Sequence, residues 1–237
     1  MNIHPESLET PTTFSRRRFL GTALTGTAAS LLAAASMNFL TTEPALAQSN
    51  LTPDEALKAL LDGNQRYIDN RFKSFDEDKQ ILRDHTVDKQ EPFAAVLSCA
   101  DSRVPVEIIF DQSIGHIFVT RVAGNFITPE IIGSLEYGAA VLGTKIILVM
   151  GHSNCGAVKA TIQGKAVPGQ ISSFFPHIQP AVEQAGPDLV AATKANASIQ
   201  AALLSKASTV LAPMIKEGKL KIVAGYYDLD TGKVTLV

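Results

Sequence analysis

Residues 93–103, FAAVLSCADSR, place a short apolar run directly before a cysteine, an aspartate and an arginine. Residues 145–156, KIILVMGHSNCG, repeat this pattern with a histidine and a cysteine after the apolar run. Short runs that are apolar at every position are typical of strands buried on both faces of a parallel sheet. Residues 117–120, IFVT, form a third such run, and a helix that opens at Thr128-Pro129-Glu130 and ends near Leu142 separates it from residues 145–150. The sequence therefore predicts an α/β fold with a central, mostly parallel β-sheet flanked by helices.

The segments on either side of this core predict further helices and strands. Thr52-Pro53-Asp54-Glu55 offers a capping threonine, a proline at the first helical position and a glutamate three residues after the cap, which indicates a helix to about Asp69. Leucines recur in it at helical spacing, so this N-terminal helical arm has an apolar face that the domain need not cover by itself. Residues 189–215 predict one long helix, and residues 220–226 and 234–237 predict strands around a turn.

The first 47 residues differ in composition from the rest of the chain. Residues 15–20, SRRRFL, enter an uncharged stretch from Gly21 to Leu40, and Ala45-Leu46-Ala47 then has the small residues that a signal peptidase accepts. The arginine pair before Phe-Leu resembles a twin-arginine export signal. We expect an export signal peptide over residues 1–47, one folded domain over residues 48–237, and a periplasmic or otherwise extracytoplasmic location. The alternative is an uncleaved membrane anchor.

The overall charge of the chain argues against two kinds of partner. With 21 Lys and Arg against 23 Asp and Glu, the formal net charge is -2. No excess of positive charge therefore attracts phosphate backbones or anionic lipid head groups. We expect no nucleic acid partner, and no stable membrane insertion once the signal peptide is removed.

Both cysteines of the chain follow predicted buried strands. Ligands of open α/β sheets bind outside the carboxyl ends of the strands, so Cys99, His152 and Cys155 are expected to meet above adjacent strands. Two thiolates and one imidazole suit Zn²⁺, and three protein ligands leave a fourth position for water or substrate. A disulfide between the cysteines, which an exported protein would permit, is the alternative. It would leave His152, Asp101 and Arg103 at the same strand ends without a role.

These residues resemble the signature motifs of the β-class carbonic anhydrases. Cys99-Ala100-Asp101-Ser102-Arg103 and His152-x-x-Cys155 look like the two motifs of that family, and their separation and flanking strands make the resemblance specific. It covers roughly residues 52–237 and continues through Arg121-Val122-Ala123-Gly124-Asn125, Ser134-Leu135-Glu136-Tyr137 and Gly225-Tyr226-Tyr227-Asp228-Leu229-Asp230.

The resemblance implies an activity and a metal. Residues 48–237 would be a β-carbonic anhydrase catalytic domain that reversibly hydrates carbon dioxide to bicarbonate and a proton by zinc-bound hydroxide. One zinc ion per chain would be held by Cys99, His152 and Cys155. Asp101 would accept a hydrogen bond from the hydroxide, and Arg103 would hold Asp101 ionised and off the metal.

The resemblance also implies substrate contacts and a partner. Members with the plant-like type of active site use a glutamine, a phenylalanine and a tyrosine for substrate binding, and these fall on Gln90, Phe118 and Tyr137. Because the family places its active site at a subunit interface, the resemblance implies a homodimer or a higher homo-oligomer.

Two other functions remain open at this point. A hydrolase of carbonyl sulfide or carbon disulfide would use the same scaffold and the same attack on carbon, so the motifs do not separate it from a carbonic anhydrase. A non-catalytic periplasmic zinc-binding protein is the other alternative, but it would have no use for an open fourth metal position or for the Asp101 and Arg103 pair.

Overall fold

The central sheet has five strands in the order β2-β1-β3-β4-β5, of which all but β5 run parallel. The computed structural model describes residues 50–74 and 86–237, so the signal peptide expected over residues 1–47 lies outside the described residues. In chain order the elements are α1 (Pro53–Ile68), β1 (Ala94–Ser98), α2 (Val106–Ile109), β2 (Ile117–Arg121), α3 (Pro129–Glu136), β3 (Ile146–His152), α4 (Gly156–Gln163), α5 (Phe175–Ala185), α6 (Leu189–Ala207), α7 (Leu211–Lys216), β4 (Lys221–Tyr227) and β5 (Val234–Leu236).

Helices cover both faces of this sheet, which confirms the predicted fold class. Alternate residues of the central strands β1 and β3 point to opposite faces and are buried on both. On one face, residues such as Val96 and Leu148 pack with α1 and α2. On the other face, residues such as Leu97 and Val149 pack with α3, α6 and α7. Burial on both faces is the physical reason for the uninterrupted apolar runs in the sequence.

Helix α1 begins as predicted, and its own chain covers part of its apolar face. The Thr52 hydroxyl accepts from the Glu55 N–H and the Glu55 carboxylate accepts from the Thr52 N–H, which completes a capping box. Ala56 and Leu60 are fully buried in the core that contains β1 and β3. Part of the apolar face of the arm is therefore covered within the chain, while Ile68 at its end is 36% exposed.

Two predicted helices differ in detail from the structure. The segment predicted as one helix over residues 189–215 is two helices, because Ser208 is extended and its hydroxyl accepts from the Leu211 N–H at 2.9 Å at the start of α7. The helix that opens at Thr128 changes after Glu136 into a π-helical turn, Tyr137–Val141. Such turns are frequent at functional sites. No helix within residues 50–74 and 86–237 is long and apolar enough to cross a membrane.

Candidate metal centre

Three side chains that suit a metal ion converge at the carboxyl ends of β1 and β3. Cys99 follows β1 directly, His152 is the last residue of β3, and Cys155 is the N-cap of α4. The strand register sets Ser98 opposite Met150, which brings the residues after β1 beside the end of β3. The two sulfurs and a ring nitrogen lie within 4.8 Å of one another, and all three residues are buried. Both thiols are free rather than joined in a disulfide.

The hydrogen bonding of His152 leaves one ring nitrogen for a metal. Nδ1 lies 2.9 Å from the Ser153 carbonyl oxygen, which can only accept, so Nδ1 carries the proton. Nε2 is buried and has no hydrogen-bond partner among the described residues. A buried imidazole nitrogen without a partner is costly unless something binds it. Two sulfurs and this nitrogen are a donor set that Zn²⁺ favours, so the residues present fit a zinc ion.

The sulfur atoms are arranged to support a thiolate. The Cys155 thiol donates to the Cys99 sulfur, which lowers the pKa of Cys99 and raises that of Cys155. The Gly124 N–H also donates to Cys99 Sγ at 3.3 Å. At the start of α4, the N–H groups of Ala157 and Val158 oppose the rise in the pKa of Cys155. The Gly124 N–H and the N–H groups at the start of α4 therefore favour deprotonated sulfur, which is the form that metal ligation needs.

Asp101 and Arg103 form a tightly bonded pair beside the three metal-binding side chains. Arg103 donates from its backbone N–H and from Nε to Asp101 Oδ1 at 2.9 and 3.0 Å, and from Nη2 to Oδ2 at 2.8 Å. These bonds hold the pKa of Asp101 well below its usual range. Asp101 Oδ2 lies 3.8 Å from His152 Nε2. An ionised carboxylate therefore faces the nitrogen that would bind the metal.

Arg121 supports the loop that carries Asp101, a role the sequence analysis does not assign. Its Nε donates to the Cys99 carbonyl at 2.9 Å and its Nη2 donates to the Asp101 carbonyl. The only sequence feature that could have indicated this role is the position of Arg121 at the start of the stretch Arg121-Val122-Ala123-Gly124-Asn125. In that stretch Gly124 has φ of +87°, and a Cβ there would lie 2.6 Å from Ile178 Cδ1. Only glycine therefore fits beside Cys99 Sγ.

Gln90, Phe118 and Tyr137 form a second group that does not join the metal centre of the same chain. Gln90 and Tyr137 line a polar cavity of about 500 Å³, and the rings of Phe118 and Tyr137 lie 6.3 Å apart. Phe118 pairs with Ala95, four residues before Cys99 on β1, which corresponds to about 13 Å of strand. The structure thus brings the three proposed substrate-binding residues together, but towards the other end of the sheet.

The fold and the site together define an α/β protein with a Cys, His, Cys group at its strand ends that could hold a metal ion. A family model described as carbonic anhydrase matches residues 94–234. The carbonic anhydrase of Mycolicibacterium smegmatis is 36% identical over 199 residues, which covers 79% of this chain and 94% of that protein. Carbonic anhydrase 2 of Mycobacterium tuberculosis is 34% identical over 205 residues, with the same coverage of 79% and 94%. The chain belongs to the carbonic anhydrase family, and it is an enzyme of that family.

Solved structures place the fold in the β class. A Coccomyxa β-carbonic anhydrase in complex with acetazolamide has a TM-score of 0.60 and 26% identity, covering 76% of this chain and 86% of that one. A structure from a study of two tetrameric β-carbonic anhydrases of the ascomycete Sordaria macrospora has a TM-score of 0.63 and 17% identity, covering 77% and 97%. The fold of this chain is that of the β-carbonic anhydrases.

Proposed function

We propose that this protein is a zinc-dependent β-carbonic anhydrase that interconverts carbon dioxide and bicarbonate, with one zinc ion held by Cys99, His152 and Cys155. The observation that carries the proposal is the buried Nε2 of His152, which has no partner among the described residues and lies beside two free thiols and an ionised carboxylate. Three protein ligands leave a fourth position open, as a catalytic zinc site requires. Bound zinc would supply the acidity that makes water a nucleophile near neutral pH.

Asp101 is the group that would orient this water. Its Oδ2 is close to His152 Nε2 and thus to the expected metal position, and a carboxylate oxygen accepts a hydrogen bond from a water O–H. Arg103 keeps Asp101 ionised at every pH at which the enzyme would work, because its hydrogen bonds lower the pKa of that carboxyl. The same bonds hold Asp101 in one orientation. Asp101 and Arg103 are therefore the proposed catalytic pair.

A second copy of the chain would complete the substrate site. Gln90, Phe118 and Tyr137 suit the binding of a small polar substrate, because an amide and a phenol line one cavity and the Phe118 ring packs against that phenol. In one chain they lie about 13 Å of strand away from the metal centre. We propose that the group from one subunit serves the metal centre of another. A tetrameric assembly among proteins of this fold supports this arrangement.

We also propose export in the folded state, which the N-terminal sequence and the pair of free cysteines both support. The basic residues 15–20 and the uncharged stretch after them support a twin-arginine signal. Cys99 and Cys155 are free and close together, so an oxidising compartment would favour a disulfide between them if they arrived without metal. A route that carries folded, metal-loaded protein would protect both ligands. Residues 1–47 would then be removed and residues 48–237 would act outside the cytoplasmic membrane.

Stopped-flow measurement of carbon dioxide hydration, on purified protein with its zinc content determined, tests the proposed activity. We expect one zinc per chain and hydration far above the buffer rate. Protein with no zinc, or zinc-loaded protein without hydration activity, would contradict the proposal. Parallel assays with carbonyl sulfide and carbon disulfide distinguish the hydrolase alternative, which predicts faster turnover of those two substrates.

A further inference from the structure

Ser153 joins the candidate metal ligand His152 to the hairpin of β4 and β5. Its backbone carbonyl accepts from His152 Nδ1 at 2.9 Å. Its backbone N–H donates to the Tyr227 carbonyl at 2.9 Å, and its hydroxyl accepts from the Leu229 N–H at 2.8 Å. One group of Ser153 therefore holds the imidazole, while the other two hold the hairpin.

We propose that Ser153 is a positioning residue for the metal centre, and that its hydroxyl fixes the carbonyl that orients His152. A carbonyl can set the tautomer and the direction of an imidazole only if its own peptide plane is held. Any residue other than proline at position 153 would offer a backbone N–H to Tyr227 and a carbonyl to His152. The bond from Leu229 N–H needs a side-chain oxygen, so the hydroxyl is the part that serine adds. This inference rests on the proposed zinc site.

The hairpin of β4 and β5, to which Ser153 is hydrogen-bonded, is also hydrogen-bonded to helix α1. Asn64 of α1, which is buried, donates from Nδ2 to the Gly232 carbonyl at 2.8 Å. The Val234 N–H donates back to Asn64 Oδ1 at 2.8 Å. Because both groups of the Asn64 amide bind the hairpin, the turn cannot shift freely over the core. The Leu229 N–H that donates to Ser153 is therefore held in place by the rest of the hairpin.

Two further contacts connect Ser153 to β4 and α6 through Tyr226. The hydroxyl of Ser153 interacts with that of Tyr226, where it opposes the rise in the pKa of Tyr226 that burial causes. Lys194 of α6 lies over the Tyr226 ring, with Nζ 5.0 Å from the ring centroid. Ser153 therefore sits within a set of contacts that link β4 and α6 to the residue that follows β3.

Zinc affinity and a cobalt spectrum test the proposal on the whole protein, and neither readout depends on activity. The metal is removed, the zinc Kd is measured by competition with a chromophoric chelator, and the visible spectrum of the Co²⁺ form is recorded. We expect Ser153→Ala to weaken zinc binding by about tenfold or more and to change the cobalt bands, as loss of a partner that orients a ligand does. Ser153→Thr retains a hydroxyl and should recover most of the affinity.

Ser205→Ala is the matched control, because the Ser205 hydroxyl donates to the Ala201 carbonyl within α6, away from the metal centre. It should leave both readouts unchanged. Urea unfolding of the metal-free variants shows whether either loses general stability. Unaltered affinity and cobalt bands in Ser153→Ala, or an equal loss in Ser205→Ala, would overturn the role of Ser153. Absence of zinc binding by the unaltered protein would instead overturn the proposed function.

Discussion

Replacing Asp101 with asparagine should abolish most of the activity while leaving the metal centre intact. The asparagine has the shape of aspartate, and its carbonyl oxygen can still accept from the Arg103 backbone N–H and Nε, now at 2.9 and 3.0 Å from Oδ1. Its amide NH₂ would face Arg103 Nη2, which is 2.8 Å from Oδ2 in the native pair. Two donors would then oppose each other. The group nearest His152 Nε2 would no longer be a charged acceptor.

The structure sets different magnitudes for stability and for catalysis. The Arg103 side chain is 52% exposed, so solvent screens the pair and its loss should cost less than about 1 kcal/mol of unfolding free energy. Misplacing a reacting group by about 1 Å can lower the rate by about 10². That factor corresponds to about 2.7 kcal/mol of activation free energy. Catalysis should therefore fall far more than stability, because the three proposed metal ligands are unchanged.

Stopped-flow hydration of carbon dioxide, zinc analysis and urea unfolding measure these three quantities on one preparation. Asp54→Asn is the control, since Asp54 makes an exposed ion pair with Lys221 at 2.6 Å on the surface. It should not change kcat/KM. The assigned role of Asp101 would be refuted if Asp101→Asn hydrated carbon dioxide at near the native rate with zinc still bound.

Three further predictions concern other parts of the chain. Asp111 is buried, and although burial opposes its ionisation, hydrogen bonds from Arg66 and from the residue 73 and 74 backbone lower its pKa. Asp111→Asn should cost about 2 to 3 kcal/mol of unfolding free energy at pH 7. Because its pKa is lowered, ionised Asp111 stabilises the folded protein above the unfolded pKa of about 3.9, and this stabilisation is lost as the pH falls from there towards the folded pKa. The urea midpoints of the variant and the native protein should therefore converge as the pH falls below about 4. A constant difference would contradict this. Arg121→Ala should lower kcat/KM by on the order of 10² through movement of Asp101, with zinc content unchanged, and a normal rate would exclude the positioning role. Replacing Arg16 and Arg17 with lysine should retain the precursor in the cytoplasm, as fractionation would show, whereas unchanged export would indicate the general secretory route.

The residues of the proposed metal centre could be predicted because the chemistry is local to two short stretches. Each stretch joins a buried strand to a turn, and parallel strands end at one edge of the sheet. Cys99, His152 and Cys155 therefore had to approach one another once the strands were adjacent. The start of α1 at Thr52 was predictable for the same reason, since a capping box is complete within four residues.

The parts that could not be predicted depend on contacts between segments distant in the chain. Leu60 is buried because α1 packs against the sheet of its own chain. The spacing of the leucines predicts an apolar face but does not indicate which surface that face packs against. The break at Ser208 arises because its hydroxyl both caps α7 and donates to Glu136, 72 residues earlier. Helix propensity is too weak a preference to predict a break at such a position.

The amino-acid sequence by itself determined the α/β class, the buried strands and the chemical identity of the candidate metal ligands, because each of these follows from apolar runs and from the residues that end them. Only the tertiary structure decided which nitrogen of His152 stays free, since that depends on the Ser153 carbonyl and on the hairpin bonded to it. Only the tertiary structure also separated Gln90, Phe118 and Tyr137 from the metal centre of their own chain. The physical reason is strand register, which sets how far along the sheet each side chain lies and which is not encoded in any one segment.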